Sequence, residues 1–226
     1  SALVKNGGME NDIRWESFTR VFVREVKKAS LVVDCGAEFG FYIHLAEAFG
    51  PKDCRVVAYE PEPPRYEALK TFYNTNPNVE VFPYAVSNRN CTLTIYKAEG
   101  KSASIDKDLT QWGNVDKVGI EVPACALDEL LVNHRADIIK MDIEGAEVLA
   151  LEGAERILKQ VRPLIFLEYH PLFVQSLFSK GKETLLCLLA RNGYTIHNHK
   201  GLPCDLSAGR VILTPQEKTP NIEFDG

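Results

Sequence analysis

The stretch Leu31-Val32-Val33-Asp34-Cys35-Gly36-Ala37-Glu38-Phe39-Gly40 sets the architecture of this chain. Three apolar β-formers run into Asp34, and a glycine-containing turn follows. Phe41 to Phe49 is then an amphipathic run stopped by Gly50-Pro51, so the pattern reads strand, tight turn, helix. In an open α/β sheet a ligand binds where such a turn leaves the carboxyl end of a central strand. The next strand, Arg55 to Tyr59, ends in Glu60, an acid placed to accept hydrogen bonds from both hydroxyls of a ribose. The expected cofactor therefore carries a nucleoside.

The turn narrows the choice. A dinucleotide fingerprint would read G-x-G-x-x-G, and a phosphate-cradling loop would end in Gly-Lys-Ser/Thr. Here the spacing is Asp34-x-Gly36-x-x-x-Gly40, with no lysine and one glycine at the bend. That suits a cofactor without phosphates, and S-adenosylmethionine fits. Asp34 can draw its ammonium, directly or through water, while a side-chain-free Gly36 lets the methionyl part approach the backbone.

Working outward, 226 residues suffice for one domain with a substantial core. A net charge of −5 argues against a broad nucleic-acid-binding face, which needs clustered Lys and Arg. No apolar run approaches the roughly 18 to 20 residues needed to span a bilayer, and no secretory signal is visible at the start. Cys35, Cys54, Cys91, Cys125, Cys187 and Cys204 form no C-x-x-C pair and no zinc spacing, so they read as reduced thiols of a cytoplasmic protein.

Before the central stretch, residues 1 to 8 read as loose. From Asn11 an apolar stripe of Ile13, Phe18, Val21, Phe22 and Val26 predicts a helix, packed on the sheet or lying as a lid over the cofactor. Residues 1–30 are thus an N-terminal helical extension to a domain spanning 31–226. After Glu60 a helix is expected over Arg65 to Tyr73, then a strand from Val79 through Phe82 that runs on to Ser87. Thr92 to Tyr96 and Val118 to Val122 alternate as an antiparallel insertion, joined by the polar loop Glu99 to Asn114. Leu127 to Leu131 reads as a short helix and Asp137 to Met141 as a buried strand. A helix with Val148, Leu151, Ala154, Ile157 and Leu158 on its inner face comes next. Pro163 to Glu168 is another strand, Glu183 to Asn192 a helix, and Tyr194 to Lys200 and Gly209 to Thr214 the last strands, with a frayed tail beyond Pro215. The alternation predicts a doubly wound, mostly parallel α/β sheet with right-handed crossovers and an inserted β-hairpin.

Asp34, Glu60, Asp142 (with Glu144) and Glu168 all end strands, so their carboxylates converge on one crevice. Asp142 can also be read as a helix cap. Lys140 lies two residues before Asp142, on the same strand face, and is either part of the site or a structural charge. His170 follows Glu168 by two and is a candidate general base; His197 and His199 read as alternative bases or polar surface. Asp142, Glu144, Glu168 and His170 have side chains that magnesium or manganese accepts, but no metal-specific spacing supports a site and no metal is expected.

With these residues in view, the chain resembles the FkbM-type family of S-adenosylmethionine-dependent methyltransferases. The matching stretches are Val33 to Phe41, Tyr59-Glu60-Pro61, Tyr84 to Ser87, Ser102-Ala103-Ser104, Leu127 to Leu131, Ile139 to Glu147 and Arg162 to Glu168. They occur in family order, and K-x-D-x-E-G-x-E (Lys140 to Glu147) is the most specific. The resemblance implies a Rossmann-like class I methyltransferase fold, a seven-stranded sheet with the last strand antiparallel. It implies methyl transfer, usually to a hydroxyl of a small-molecule or sugar-containing (glycan-type) acceptor, releasing S-adenosylhomocysteine. The implied cofactor contacts are Asp34, Gly36, Ala37, Glu38, Gly40, Phe41, Glu60, Pro61 and Asp142, with Ala85 and Val86 bordering the adenine. Glu38 departs from the family, which commonly has Asn there. An extra carboxylate near the methionyl carboxylate weakens cofactor binding unless it turns toward the ammonium or solvent.

The chemistry then needs alignment of an acceptor oxygen with the sulfonium methyl, and a base for the hydroxyl proton. Asp142 is expected nearest the methyl, with Glu168 or His170 orienting or deprotonating the acceptor and Lys140 beside them. Rival readings are a non-catalytic S-adenosylmethionine-binding module and a nicotinamide-dependent oxidoreductase. A homo-oligomer is compatible with all three.

Overall fold

The computed structural model describes residues 17–98, 102–107 and 116–224. At its centre is β1 (Leu31–Cys35), buried along its whole length because both faces of the sheet are covered. β1 pairs in parallel with β2 (Arg55–Tyr59) on one side and β7 (Ile138–Met141) on the other, which sets Asp34 opposite Ala58 and Lys140. Outward lie β3 (Val79–Phe82) and, beyond β7, β8 (Leu164–Glu168), β10 (Arg210–Pro215) and β9 (Tyr194–His197). The seven strands run in the order β3-β2-β1-β7-β8-β10-β9, with β10 antiparallel to both neighbours. This is the Rossmann-like, mostly parallel sheet that the alternation of strands and helices predicts.

Alternate strand residues feed two cores. Val32, Val56, Ala58, Ile138 and Phe166 pack beneath α1 (Ser17–Val26), α2 (Phe41–Phe49) and α3 (Pro63–Tyr73). Val33, Val57, Ile139, Ile165 and Leu167 face the opposite layer of α4 (Leu127–Leu130), α5 (Glu147–Glu152) and α7 (Gly181–Arg191). Phe18 and Phe22 of α1 stand edge-on to Phe166, with ring centroids 5.3 and 5.2 Å away. α1 is therefore a layer of the sheet rather than a lid over its strand ends; residues 11–16 of the expected helix lie outside the described residues.

Four local expectations are corrected. The strand expected from Val79 to Ser87 divides, because Pro83 lacks an N–H and restricts Phe82. β4 (Ala85–Ser87) leaves the main sheet and pairs in parallel with β6 (Val118–Ala126). β6 pairs antiparallel with β5 (Cys91–Lys97), so the inserted hairpin belongs to a second, three-stranded sheet. The long inner helix stops at Gly153, where a Cβ would lie 2.1 Å from the Ser87 carbonyl oxygen, and resumes as a π-helical turn over Ile157–Val161. A helix, α6 (Pro171–Leu177), forms directly after His170. Finally, the tail is tied down: Arg24 donates to the Phe224 carbonyl at 3.0 Å, and Lys28 pairs with Glu223 at 2.9 Å. All six cysteines are free, and no helix among the described residues is long and apolar enough to cross a membrane.

Candidate functional site

Two turns at the carboxyl edge build the first half of the site. Gly36 and Ala37 N–H groups donate to the Tyr59 carbonyl at 2.9 and 3.2 Å, tying the turn after β1 to the end of β2. Gly36 has φ +81°, and a Cβ there would lie 1.9 Å from the Asp142 carbonyl oxygen, so no side chain fits. Glu60 accepts from the Glu38 N–H through Oε2 and from the Glu62 N–H through Oε1, both at 2.8 Å. Each oxygen keeps a free lone pair for a ligand hydroxyl. Asp34 is 2% exposed, and its Oδ2 has no partner among the described residues. Burial pushes both carboxyls up, to about 7 for Asp34 and about 7 for Glu60; Lys140 partly opposes this at Asp34, as do the two backbone N–H donors at Glu60.

These residues open on a crevice at the carboxyl edge of the sheet. Of the expected cofactor contacts, Gly36, Glu38, Glu60, Pro61, Ala85, Val86 and Asp142 line it. Gly40 and Phe41 face a neighbouring groove instead, and buried Ala37 and Asp34 sit behind the turn. Sequence reasoning missed the opposite wall: Leu93 and Ile95 of β5, with Ala103 and Ile105, cover the crevice with apolar side chains. The hairpin's alternation shows one apolar face, but nothing in it says what that face covers.

Glu38, the departure from the family pattern, has φ +51°, a left-handed conformation that Asn tolerates more easily than Glu. Its carboxylate is held by Arg65 Nη2 at 3.2 Å and accepts from Ser102 Oγ at 3.0 Å. The extra negative charge is thus paired.

The second half is a network of side-chain charges. Lys140 is 1% exposed; its Nζ lies 3.0 Å from Glu168, 3.7 Å from Asp142 and 4.6 Å above the Tyr42 ring. The other Glu168 oxygen accepts from Arg210 Nε at 2.8 Å, so both its oxygens are engaged. His170 caps α6 and turns Nδ1 to Glu147 Oε1 at 2.9 Å. Its Nε2 faces Glu144 at 3.6 Å and Asp142 at 3.7 Å. Burial disfavours the charged ring, but the Glu147 hydrogen bond and the fields of Glu147, Glu144 and Asp142 outweigh it and raise His170 to about 9. One polar atom each from Asp142, Glu144 and His170 lie within 4.8 Å of one another, close enough to surround a cation. His197 is held by Thr195 at 2.8 Å and the Gly201 carbonyl at 3.1 Å on edge strand β9, and His199 lies in the turn after it; neither reaches the crevice.

A model of the FkbM methyltransferase domain matches residues 34–196. Among solved structures, the fold is similar to an FkbM methyltransferase from Methylobacillus flagellatus KT, with TM-score 0.54 and 20% identity over 82% of this chain and 43% of that one. It is also similar to a Staphylococcus aureus protein assigned as a caffeoyl-CoA O-methyltransferase, with TM-score 0.51 and 12% identity over 95% of this chain and 91% of that one. The chain spans less than half the length of the Methylobacillus protein. No curated protein matches it.

Proposed function

Because the chain belongs to the FkbM family of S-adenosylmethionine-dependent methyltransferases, we propose that it methylates a hydroxyl oxygen of a neutral small-molecule or sugar-containing acceptor, with His170 taking the hydroxyl proton. One observation carries this reading. A glycine turn backed by an orphaned, buried carboxylate oxygen lines a crevice whose Asp142 and Glu144 are faced from behind by the free nitrogen of an imidazole.

The residues fit the cofactor. Asp34 offers an unpartnered acceptor to an ammonium, Gly36 leaves backbone open, and Glu60 has lone pairs for ribose hydroxyls. Ala85 and Val86, faced by Leu93 and Ile95, suit an adenine. Bound there, S-adenosylmethionine supplies a methyl group on a cationic sulfonium. The acids at the crevice complement a cation and disfavour phosphates, which weighs against a nicotinamide dinucleotide and against a phosphate-bearing acceptor. Carboxylates at Asp142 and Glu144 can orient neighbouring acceptor hydroxyls. Glu168, held by Lys140 and Arg210, positions the network rather than taking a proton. His170 acts as a base only when neutral, so turnover rises as pH increases through about 9.

Calorimetric titration with S-adenosylhomocysteine and NAD, on wild type and Glu60→Ala, tests the cofactor half. Expected are micromolar binding of the adenosyl compound, weakening on loss of Glu60, and none for NAD; preference for NAD overturns the reading. S-adenosylhomocysteine release, followed over a panel of sugar and phenol hydroxyls, tests the rest. His170→Ala should lower turnover by about 10²–10⁴-fold while cofactor affinity stays within about threefold, and EDTA should leave turnover unchanged. Full turnover in His170→Ala removes the base assignment. Affinity without turnover on any acceptor favours a binding module.

A further inference from the structure

We propose that Glu147 is a positioning residue: its carboxylate pins the Nδ1–H of His170, so that Nε2 is the ring atom that exchanges a proton with the crevice. The inference rests on the reading of His170 as proton acceptor and adds a residue that lines no part of the crevice. Glu147 is 0% exposed. Burying a carboxylate is costly unless it is bonded and its charge is met. Here Oε1 accepts from His170 Nδ1 at 2.9 Å and from the Gly145 N–H at 3.1 Å, while Oε2 has no partner among the described residues. The imidazolium is the group whose charge meets it.

Local geometry explains how the two residues meet. Gly145 has φ +103°, and a Cβ there would lie 2.7 Å from Phe173 Cβ and 3.2 Å from Leu177 Cδ1. Glycine thus lets α6 close onto the start of α5. His170, at the cap of α6, is brought onto Glu147, with its ring 5.8 Å from that of Phe173. The last two fixed residues of the Lys140 to Glu147 run thereby act together: glycine admits the helix and glutamate anchors its histidine.

The consequence concerns the tautomer. A ring whose Nδ1–H is held by a carboxylate loses its proton from Nε2. Nε2 is the nitrogen that faces Asp142 and Glu144 on the turn after β7. The other charged groups nearby, Glu168 on β8 and Lys140 on β7, pair with each other at 3.0 Å. Glu147 alone among the described acids contacts Nδ1.

The experiment is ¹⁵N NMR of histidine-labelled, cofactor-free protein across pH. In wild type the His170 ring should keep a slowly exchanging Nδ1–H and titrate well above free histidine. Rapid exchange at Nδ1, or a neutral ring protonated on Nε2, overturns the proposal without any variant being needed. In Glu147→Gln, which keeps the shape and an acceptor oxygen but removes the charge, the midpoint should fall by at least one pH unit. The rising limb of the kcat profile should move to lower pH by the same amount, with cofactor affinity unchanged. An unmoved midpoint in a folded Glu147→Gln protein makes Glu147 merely structural. If the NMR results hold but His170→Ala keeps full turnover, the pair stands and the base assignment falls.

Discussion

The two halves of the crevice handle buried acid in opposite ways. Around β1 and β2, Glu60 is held by two backbone N–H groups and Asp34 keeps an oxygen unpartnered. Among the described residues no side-chain cation pairs with Glu60; Glu60 and Asp34 form a socket for a ligand, while Glu38 and Glu62 beside them are paired with Arg65 and Lys97. Around β7 and β8, Lys140, Glu168, Arg210, His170 and Glu147 neutralise one another through side chains. The first arrangement stores an unsatisfied preference for a cation. The second spends its charges on holding atoms in place, and leaves one imidazole nitrogen facing the crevice acids Asp142 and Glu144.

That contrast can be broken first at Lys140. Lys140→Met should cost about 3 kcal/mol of stability at pH 8, because it removes the cation that faces buried Asp34 and leaves Glu168 with Arg210 alone. The penalty should shrink as pH falls through about 7, since Asp34 is raised to that value and protonates there. Urea unfolding measures it, and a loss below about 1 kcal/mol would mean that the charge network is not what holds this half.

A smaller effect is expected in the socket. Asp34 and Glu60 are held near 7 by burial and must be ionised to serve a cationic ligand, so each bound proton has to be released on binding. Affinity for S-adenosylmethionine should drop about tenfold per pH unit for each such proton below 7 and flatten above about 8. Calorimetry between pH 5.5 and 8, in buffers of different ionisation enthalpy, would show the proton release; a flat profile would mean that the socket is already charged. The smallest change is expected from Glu38→Asn. It removes a partly exposed ion pair with Arg65, worth about 0–1 kcal/mol, and relieves a left-handed glutamate. Cofactor affinity should stay within about threefold, and a larger gain would show that Glu38 opposes the cofactor.

Much of the socket was legible in the residues. An apolar strand ending in Asp34, a turn with Gly36, and a second strand ending in Glu60 are adjacent in sequence, and parallel pairing of neighbouring strands follows from short crossovers. The charge network was only half legible. Glu168 read as a free strand-end acid, whereas Arg210, 42 residues on, engages it from the antiparallel β10. Glu147 appeared only as the last residue of the K-x-D-x-E-G-x-E run, with no partner assigned. Its histidine is 23 residues away, and the contact exists only because α6 packs onto α5 at Gly145.

The sequence by itself determined the parallel sheet, the ligand edge, the acids along that edge and the kind of cofactor they suit. Those features follow from local chemistry: residue period, glycine at a positive-φ turn, and an acid at the carboxyl end of four strands. Only the tertiary structure decided that β4 leaves the main sheet, that β5 roofs the crevice, and which acid each cation neutralises. Such pairings depend on which distant elements come within about 3 Å of one another, and helix packing sets that distance where the chain's local pattern does not.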